Sequence, residues 1–140
     1  MGEIFVEAEA TVYPTEDIGK VEKAIRNVVG GAFVEKIEGQ NGAVLLRAKA
    51  VGKEALLNFQ NLLRQDRIRN AARAILLAGS SSSSILLYLN KQVAFVSHIS
   101  FSKPSAESPL GPIKVKITCD NPASLIDWLA PSTSALRGRT

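Results

Sequence analysis

Hydrophobic and polar residues alternate along the first dozen positions of the chain. Ile4, Val6, Ala8, Ala10 and Val12 fall on one side, with Glu3, Glu7 and Glu9 among the other set. That is the period of a half-buried strand. Pro14 and Thr15 stop it, and Thr15 or Asp17 can cap the next helix, with Glu16 and Asp17 suiting its N-terminus. Ile18, Val21, Ile25, Val28 and Val29 keep helical spacing, so the pattern predicts an amphipathic helix over 16–29, ended by Gly30-Gly31. Two strands, Phe33 to Glu38 and Ala43 to Val51, flank the turn-rich Gly39-Gln40-Asn41-Gly42 and read as a hairpin. Over 53–78 an apolar stripe runs through Leu56, Phe59 and Leu63, then Ile68, Ala71, Ala72, Ile75 and Leu76. This is long for one helix of a small domain, and two helices broken near Gln65-Asp66 are predicted.

Gly79 and the run Ser80 to Ser84 form a low-complexity connector. Ile85 to Leu89 reads as a strand. Val93 to Phe101 alternates and predicts another. Lys103 to Ser108 is a polar loop, and Pro109-Leu110-Gly111-Pro112 restricts the chain before Ile113 to Thr118, a strand with Lys114 and Lys116 on its outer face. Asn121 is a natural cap for a last helix with Pro122 at its first position. Leu125, Ile126, Trp128 and Leu129 pack that helix, and Pro131 ends it. The order is not a regular strand–helix alternation. It predicts a single α+β domain over 1–131, a largely antiparallel sheet with helices on one face, and a flexible tail over 132–140.

Charge changes this picture more than composition does. The net charge is +4, but residues 1–42 carry four basic and eight acidic groups. Residues 43–78 carry seven basic groups (Arg47, Lys49, Lys53, Arg64, Arg67, Arg69, Arg73) against Glu54 and Asp66. A basic sector of this kind attracts polyanions by releasing their counterions, although many domains simply carry a solvated basic face. The single Cys119 excludes an intrachain disulfide and a cysteine-cluster zinc site. No apolar run has the length of a membrane span, and the N-terminus is too acidic for a signal peptide. A reducing cytoplasm is the expected location.

Catalytic signatures are missing. His98 is the only histidine, with no ligand at metal spacing, and reads as structural or surface. Cys119 reads as an inert half-buried thiol. The serines have no nucleophile elbow, and Gly79 with its serines lacks the ending of a phosphate loop. No metal or cofactor is expected. Arg69 and Arg73 stand one helical turn apart, with Arg64 and Arg67 extending the basic area, a spacing that suits successive phosphates. The opposing reading pairs Asp66 with Arg69 or with neighbours of Arg73 on the same helix. Asn90, Lys91 and Gln92, at a strand end, carry groups able to read a base edge or hold a phosphate, or else form a plain turn. Aromatic residues are 6% of the chain, so stacking is expected to contribute little.

Several blocks then resemble a known family: Tyr13-Pro14-Thr15-Glu16-Asp17, Asp66-Arg67-Ile68-Arg69-Asn70-Ala71-Ala72-Arg73, Leu89-Asn90-Lys91-Gln92-Val93-Ala94-Phe95, Ser108-Pro109-Leu110-Gly111-Pro112-Ile113 and Leu125-Ile126-Asp127-Trp128-Leu129-Ala130-Pro131. They resemble an archaeal family of uncharacterised proteins grouped with RNA-binding proteins, some labelled as exosome subunits by prediction. The resemblance implies a fold similar to ribosomal protein L5 and brings no catalytic residues. The serine run departs from it, standing where glycine or charged residues are expected.

The leading expectation is therefore a non-catalytic RNA-binding protein using Arg64, Arg67, Arg69, Arg73, Asn90, Lys91 and Gln92, in RNA processing or a ribosome-linked assembly. The alternative is a protein-interaction module or homodimer that uses the open sheet face or an edge strand. An enzyme ranks third, because it would need Lys91, His98 or Asp127 to converge.

Overall fold

A computed structural model describes residues 3–103 and 111–132. Five strands make one antiparallel sheet: β1 (Phe5–Val12), β2 (Phe33–Glu38), β3 (Val44–Val51), β4 (Ser84–Asn90) and β5 (Pro112–Thr118), in the order β2-β3-β1-β5-β4. The helices are α1 (Ile18–Val28), α2 (Leu57–Gln65), α3 (Arg69–Ala78), α4 (Lys91–Phe95) and α5 (Pro122–Leu129), with a 3-10 turn at Lys53–Leu56 leading into α2. Among the described residues, no helix is long and apolar enough to cross a membrane.

Register explains the layering. Ala8 lies opposite Ala48 on β3 and Val115 on β5, and Val6 opposite Ala50 and Ile117. These positions share one face with Leu46, Ile85, Leu87, Leu89 and Ile113, and most of them are fully buried. No strand residue of the other parity is buried. The helices therefore cover one face only, closing it with Val21, Ile25 and Val28 of α1, Phe59 and Leu63 of α2, Leu76 of α3 and Ile126 of α5. The α+β, helices-on-one-face prediction agrees with this arrangement.

Local chemistry sets most boundaries. The Asp17 carboxylate caps α1, accepting from the Gly19 and Lys20 N–H groups. In the β2–β3 hairpin, Asn41 and Gly42 both adopt positive φ (58° and 79°) while the Ala43 N–H donates to the Gln40 carbonyl. Two consecutive left-handed residues are what a primed hairpin turn demands. The predicted break near Asp66 separates α2 from α3, and the Asn121 side chain caps α5 with Pro122 at its first position.

One prediction is corrected. Val93 to Phe101 is not a strand. The side-chain oxygen of Asn90 accepts from the Val93 N–H at 3.0 Å and starts α4 there instead. After α4 the chain returns along the outer edge of β4, where the Asn90 N–H donates to Ser100, the Ser102 N–H donates to Tyr88, and Leu89 bridges Phe101. The predicted loop over 103–108, the Pro109-Leu110 segment and the tail beyond Ser132 lie, apart from Lys103, outside the described residues.

Gly79 does more than end a helix. The Leu86 N–H donates to the Gly79 carbonyl at 2.9 Å, so the end of α3 lies against the outer edge of β4. A Cβ on residue 79 would stand 2.1 Å from the Leu86 carbonyl oxygen, a backbone atom with no room to yield. Gly79→Ala is expected to destabilise by about 1–3 kcal/mol and lower the melting temperature by roughly 5 °C or more. Ser82→Ala, at an exposed position of the same connector, is expected to melt like the parent chain. Differential scanning calorimetry of the two variants decides.

Candidate nucleic-acid interface

The turn between α2 and α3 carries the densest positive charge. Arg64 lies in the last turn of α2, Arg67 sits between the helices at φ 57°, and Arg69 opens α3. A left-handed non-glycine residue is uncommon and marks a backbone that its surroundings hold in place. Here the Arg67 N–H donates to the Arg64 carbonyl, and the Ile68 N–H to the Leu63 carbonyl, locking the turn. Arg64 and Arg67 are exposed and Arg69 is half-buried. None of the three forms an ion pair among the described residues.

Asp66, the one carboxylate of this turn, faces away from those arginines. Its Oδ1 lies 2.8 Å from His98 Nδ1, and its Oδ2 accepts from the Ile99 N–H at 2.9 Å. Partial burial pushes the Asp66 carboxyl up. The Ile99 N–H and the His98 hydrogen bond and charge outweigh that, so it lies below its ordinary value. The pairing of Asp66 with arginines of its own helix, considered from the sequence, is thus replaced by a tie between the helix turn and the segment after α4. Ser97, beside His98, also has positive φ (61°), so left-handed residues flank this contact on both segments.

Arg73 is not a surface guanidinium of the same kind. Its Nη1 lies 2.7 Å from Asp127 Oδ1 and donates to the Ala130 carbonyl at 3.2 Å, stapling α3 to α5. Lys91 differs still more from the strand-end cation read in the sequence. It is 3% exposed and pairs with Glu16 at 3.0 Å. It also donates to the Thr11 carbonyl and lies 5.4 Å from the centre of the Tyr13 ring. The Asn90 side chain is occupied as the α4 cap. Gln92 alone of that trio is exposed, on the rim of an open groove of about 560 Å³ between α1 and α4. The Lys91–Glu16 pair lies in this groove, with Lys20 and Phe95 on its walls.

The seven residues proposed from sequence therefore divide. Arg64, Arg67 and Arg69 share one exposed turn, Gln92 lies on a separate groove, and Arg73, Asn90 and Lys91 hold the fold together. Lys91, His98 and Asp127 do not converge, since each is engaged with a different partner: Glu16, Asp66 and Arg73. No group of side chains suited to a metal ion occurs among the described residues. Cys119 is buried, and burial pushes its thiol above the ordinary value. Sequence reading offered the open face of the sheet only as a protein interface and named none of its residues; Phe5 and Phe33 stand exposed there. The available signal was phase: in β1, Phe5 falls among the polar positions of an alternating strand.

Comparison with known proteins agrees with this fold. A family model described as RNA binding matches residues 5–119. The chain is 41% identical over 128 residues to a UPF0201 protein of Pyrococcus abyssi, covering 91% of this chain and 90% of that protein. It is 43% identical over 127 residues to one of Sulfolobus acidocaldarius, covering 90% and 86%. Among solved structures, the UPF0201 protein of Methanococcus jannaschii superposes with a TM-score of 0.84 at 34% identity, over 92% of this chain and 94% of that one. The likeness to ribosomal protein L5 and the exosome link rest on the sequence resemblance alone.

Variants at the Lys91–Glu16 pair and at Asp66 test these assignments. Lys91→Ala strands a carboxylate that is itself 9% exposed, and is expected to cost roughly 3 kcal/mol in urea denaturation. The double variant Lys91→Met with Glu16→Gln is expected to recover most of that loss. For Asp66, the folded-state pKa is depressed. Its contribution is therefore present above the ordinary carboxylate range and lost as pH falls through the lower folded value. Asp66→Asn is expected to flatten the fall in stability below about pH 4. An unchanged slope there would refute the assignment.

Proposed function

The chain belongs to the RNA-binding family that includes the archaeal UPF0201 proteins, and we propose that it is a non-catalytic protein that binds structured RNA through the α2–α3 turn. One observation supports this reading above the rest: the inward commitment of Asp66 to His98 and Ile99 leaves Arg64, Arg67 and Arg69 without a carboxylate partner among the described residues. Unpaired guanidiniums on a locked turn are suited to bidentate contact with phosphate oxygens, and the backbone that carries them is already ordered by the fold. Affinity of this kind comes from counterion release and does not depend on base identity. RNA processing or a ribosome-linked assembly in the cytoplasm is the setting we propose.

Fluorescence anisotropy with an RNA hairpin across a salt series tests the proposal. Binding is expected to weaken steeply with salt. Arg64→Ala, Arg67→Ala and Arg69→Ala together are expected to lower affinity at low salt by about tenfold or more and to reduce the log–log salt slope by roughly three. Arg73→Ala is expected to lower the melting temperature instead. Absence of binding at low salt, or equal binding by the triple variant, would overturn it.

A further inference from the structure

The helices leave the second face of the sheet bare, and its occupants do not follow the usual rule for a solvated strand face. Phe33 is 72% exposed, Val51 58% and Phe5 49%. They are neighbours: Phe5 lies directly opposite Val51, and Phe33 opposite Lys49, two residues before Val51 on the same strand. Isolated exposed apolar residues are ordinary, but two aromatics and a valine joined on one face make a patch that calls for a partner.

Charge on that face identifies the partner. Lys49, Lys114 and Lys116 are exposed and form no ion pair among the described residues, whereas Glu7, Glu9 and Glu35 are half-buried. Glu9 is held by Arg47 at 3.1 Å. In the rows across the sheet, Glu7 lies between Lys49 and Lys116, and Glu9 between Arg47 and Lys114. The carboxylates are recessed between cations, so an approaching ligand first meets positive charge beside aromatic rings.

We propose that this open face is a platform for single-stranded RNA, with bases stacking on Phe5 and Phe33 and phosphates meeting Lys49, Lys114 and Lys116. The proposal rests on the RNA-binding reading and deepens it. Phe5 and Phe33 are two strands apart, about 10 Å across the sheet, so each ring can take its own base. Stacking is indifferent to sequence because every base has a π-face. Duplex bases are already stacked on one another, which makes the single strand the ligand for exposed rings. A second copy of the chain fits less well, because face-to-face contact brings lysines against lysines while the carboxylates stay recessed. The α2–α3 turn belongs to the helical layer, on the other side of the sheet, so the two surfaces are separable by mutation.

The test uses the full chain and two labelled probes at low salt, an oligouridylate of about twelve nucleotides and an RNA hairpin. Phe5→Ala with Phe33→Ala is expected to weaken oligouridylate binding about a hundredfold and to leave hairpin binding unchanged. Phe5→Tyr with Phe33→Tyr is expected to restore single-strand binding. Circular dichroism checks that these exposed substitutions leave the fold intact. Undiminished oligouridylate binding by the alanine variant overturns this proposal while leaving the arginine turn standing. Failure of the parent chain to bind either probe removes both. Light scattering that shows a parent dimer abolished by the alanine pair assigns the patch to a second copy and overturns the proposal as well.

Discussion

One-sided burial of the sheet is the constraint on which the rest depends. The side chains of a strand alternate, and β1, at the centre of five strands, must serve two opposite environments with one sequence. It does so with small and branched apolar residues, Val6, Ala8, Ala10 and Val12, toward the helices and with Phe5, Glu7, Glu9 and Thr11 toward the open face. The two central alanines are fully covered and leave space for the large side chains of α1 and α2 to come close. A slip of one residue in register would put Glu7 and Glu9 under the helices, at a cost no local contact offsets. Every charged strand residue is thereby confined to the open face or to the poorly covered edge strand β2.

The helical layer needs its own ties because its helices are short. Polar contacts between segments far apart in sequence supply them: Asn27 donates to the Ala94 and Phe95 carbonyls, Gln60 donates to the Trp128 carbonyl, and three more involve charged side chains. Arg73 holds the end of α5, Asp66 holds the segment after α4, and Lys91 holds the entry to α1 through Glu16 and Thr11. Lys91 is the most demanding of these. A buried ammonium is tolerated only when its donors are all satisfied, and here a carboxylate, a carbonyl and an aromatic ring surround it. Such contacts remove cations from the surface inventory, so a count of basic residues overstates the charge available to a ligand.

Legibility in the sequence divides along the same line between local and distant contacts. The strands β1, β3 and β5, the hairpin turn, the Asp66 break and the Asn121-Pro122 start are set by period-two alternation or by a cap within a few residues, and they stand where the pattern puts them. The segment 93–101 misled because its alternation is real but one side-chain cap, Asn90 on Val93, decides in favour of a helical turn. The site was legible only in part for a different reason. Glu16 and Lys91 are 75 residues apart, and Arg73 and Ala130 are 57 apart, so no local window reveals that these cations are spoken for. Arg64, Arg67 and Arg69 escaped that fate because the only carboxylate near them in sequence turns inward.

In a chain with few aromatic residues, those that remain are normally the first to be buried, as Phe59 is against Phe101. Phe5 and Phe33 are withheld from the core, although core-facing positions lie one residue away in phase on the same strands. Burying a phenylalanine contributes roughly 2 kcal/mol, so leaving two outside forgoes stability that β-sheet propensity alone does not return. Their position on the one face the helices leave open, beside lysines that form no ion pair among the described residues, suits the aromatic and anionic ligand proposed above. In the reading proposed above, the arginine turn offers only charge and shape while the sheet offers rings as well, so the two surfaces suit different forms of RNA.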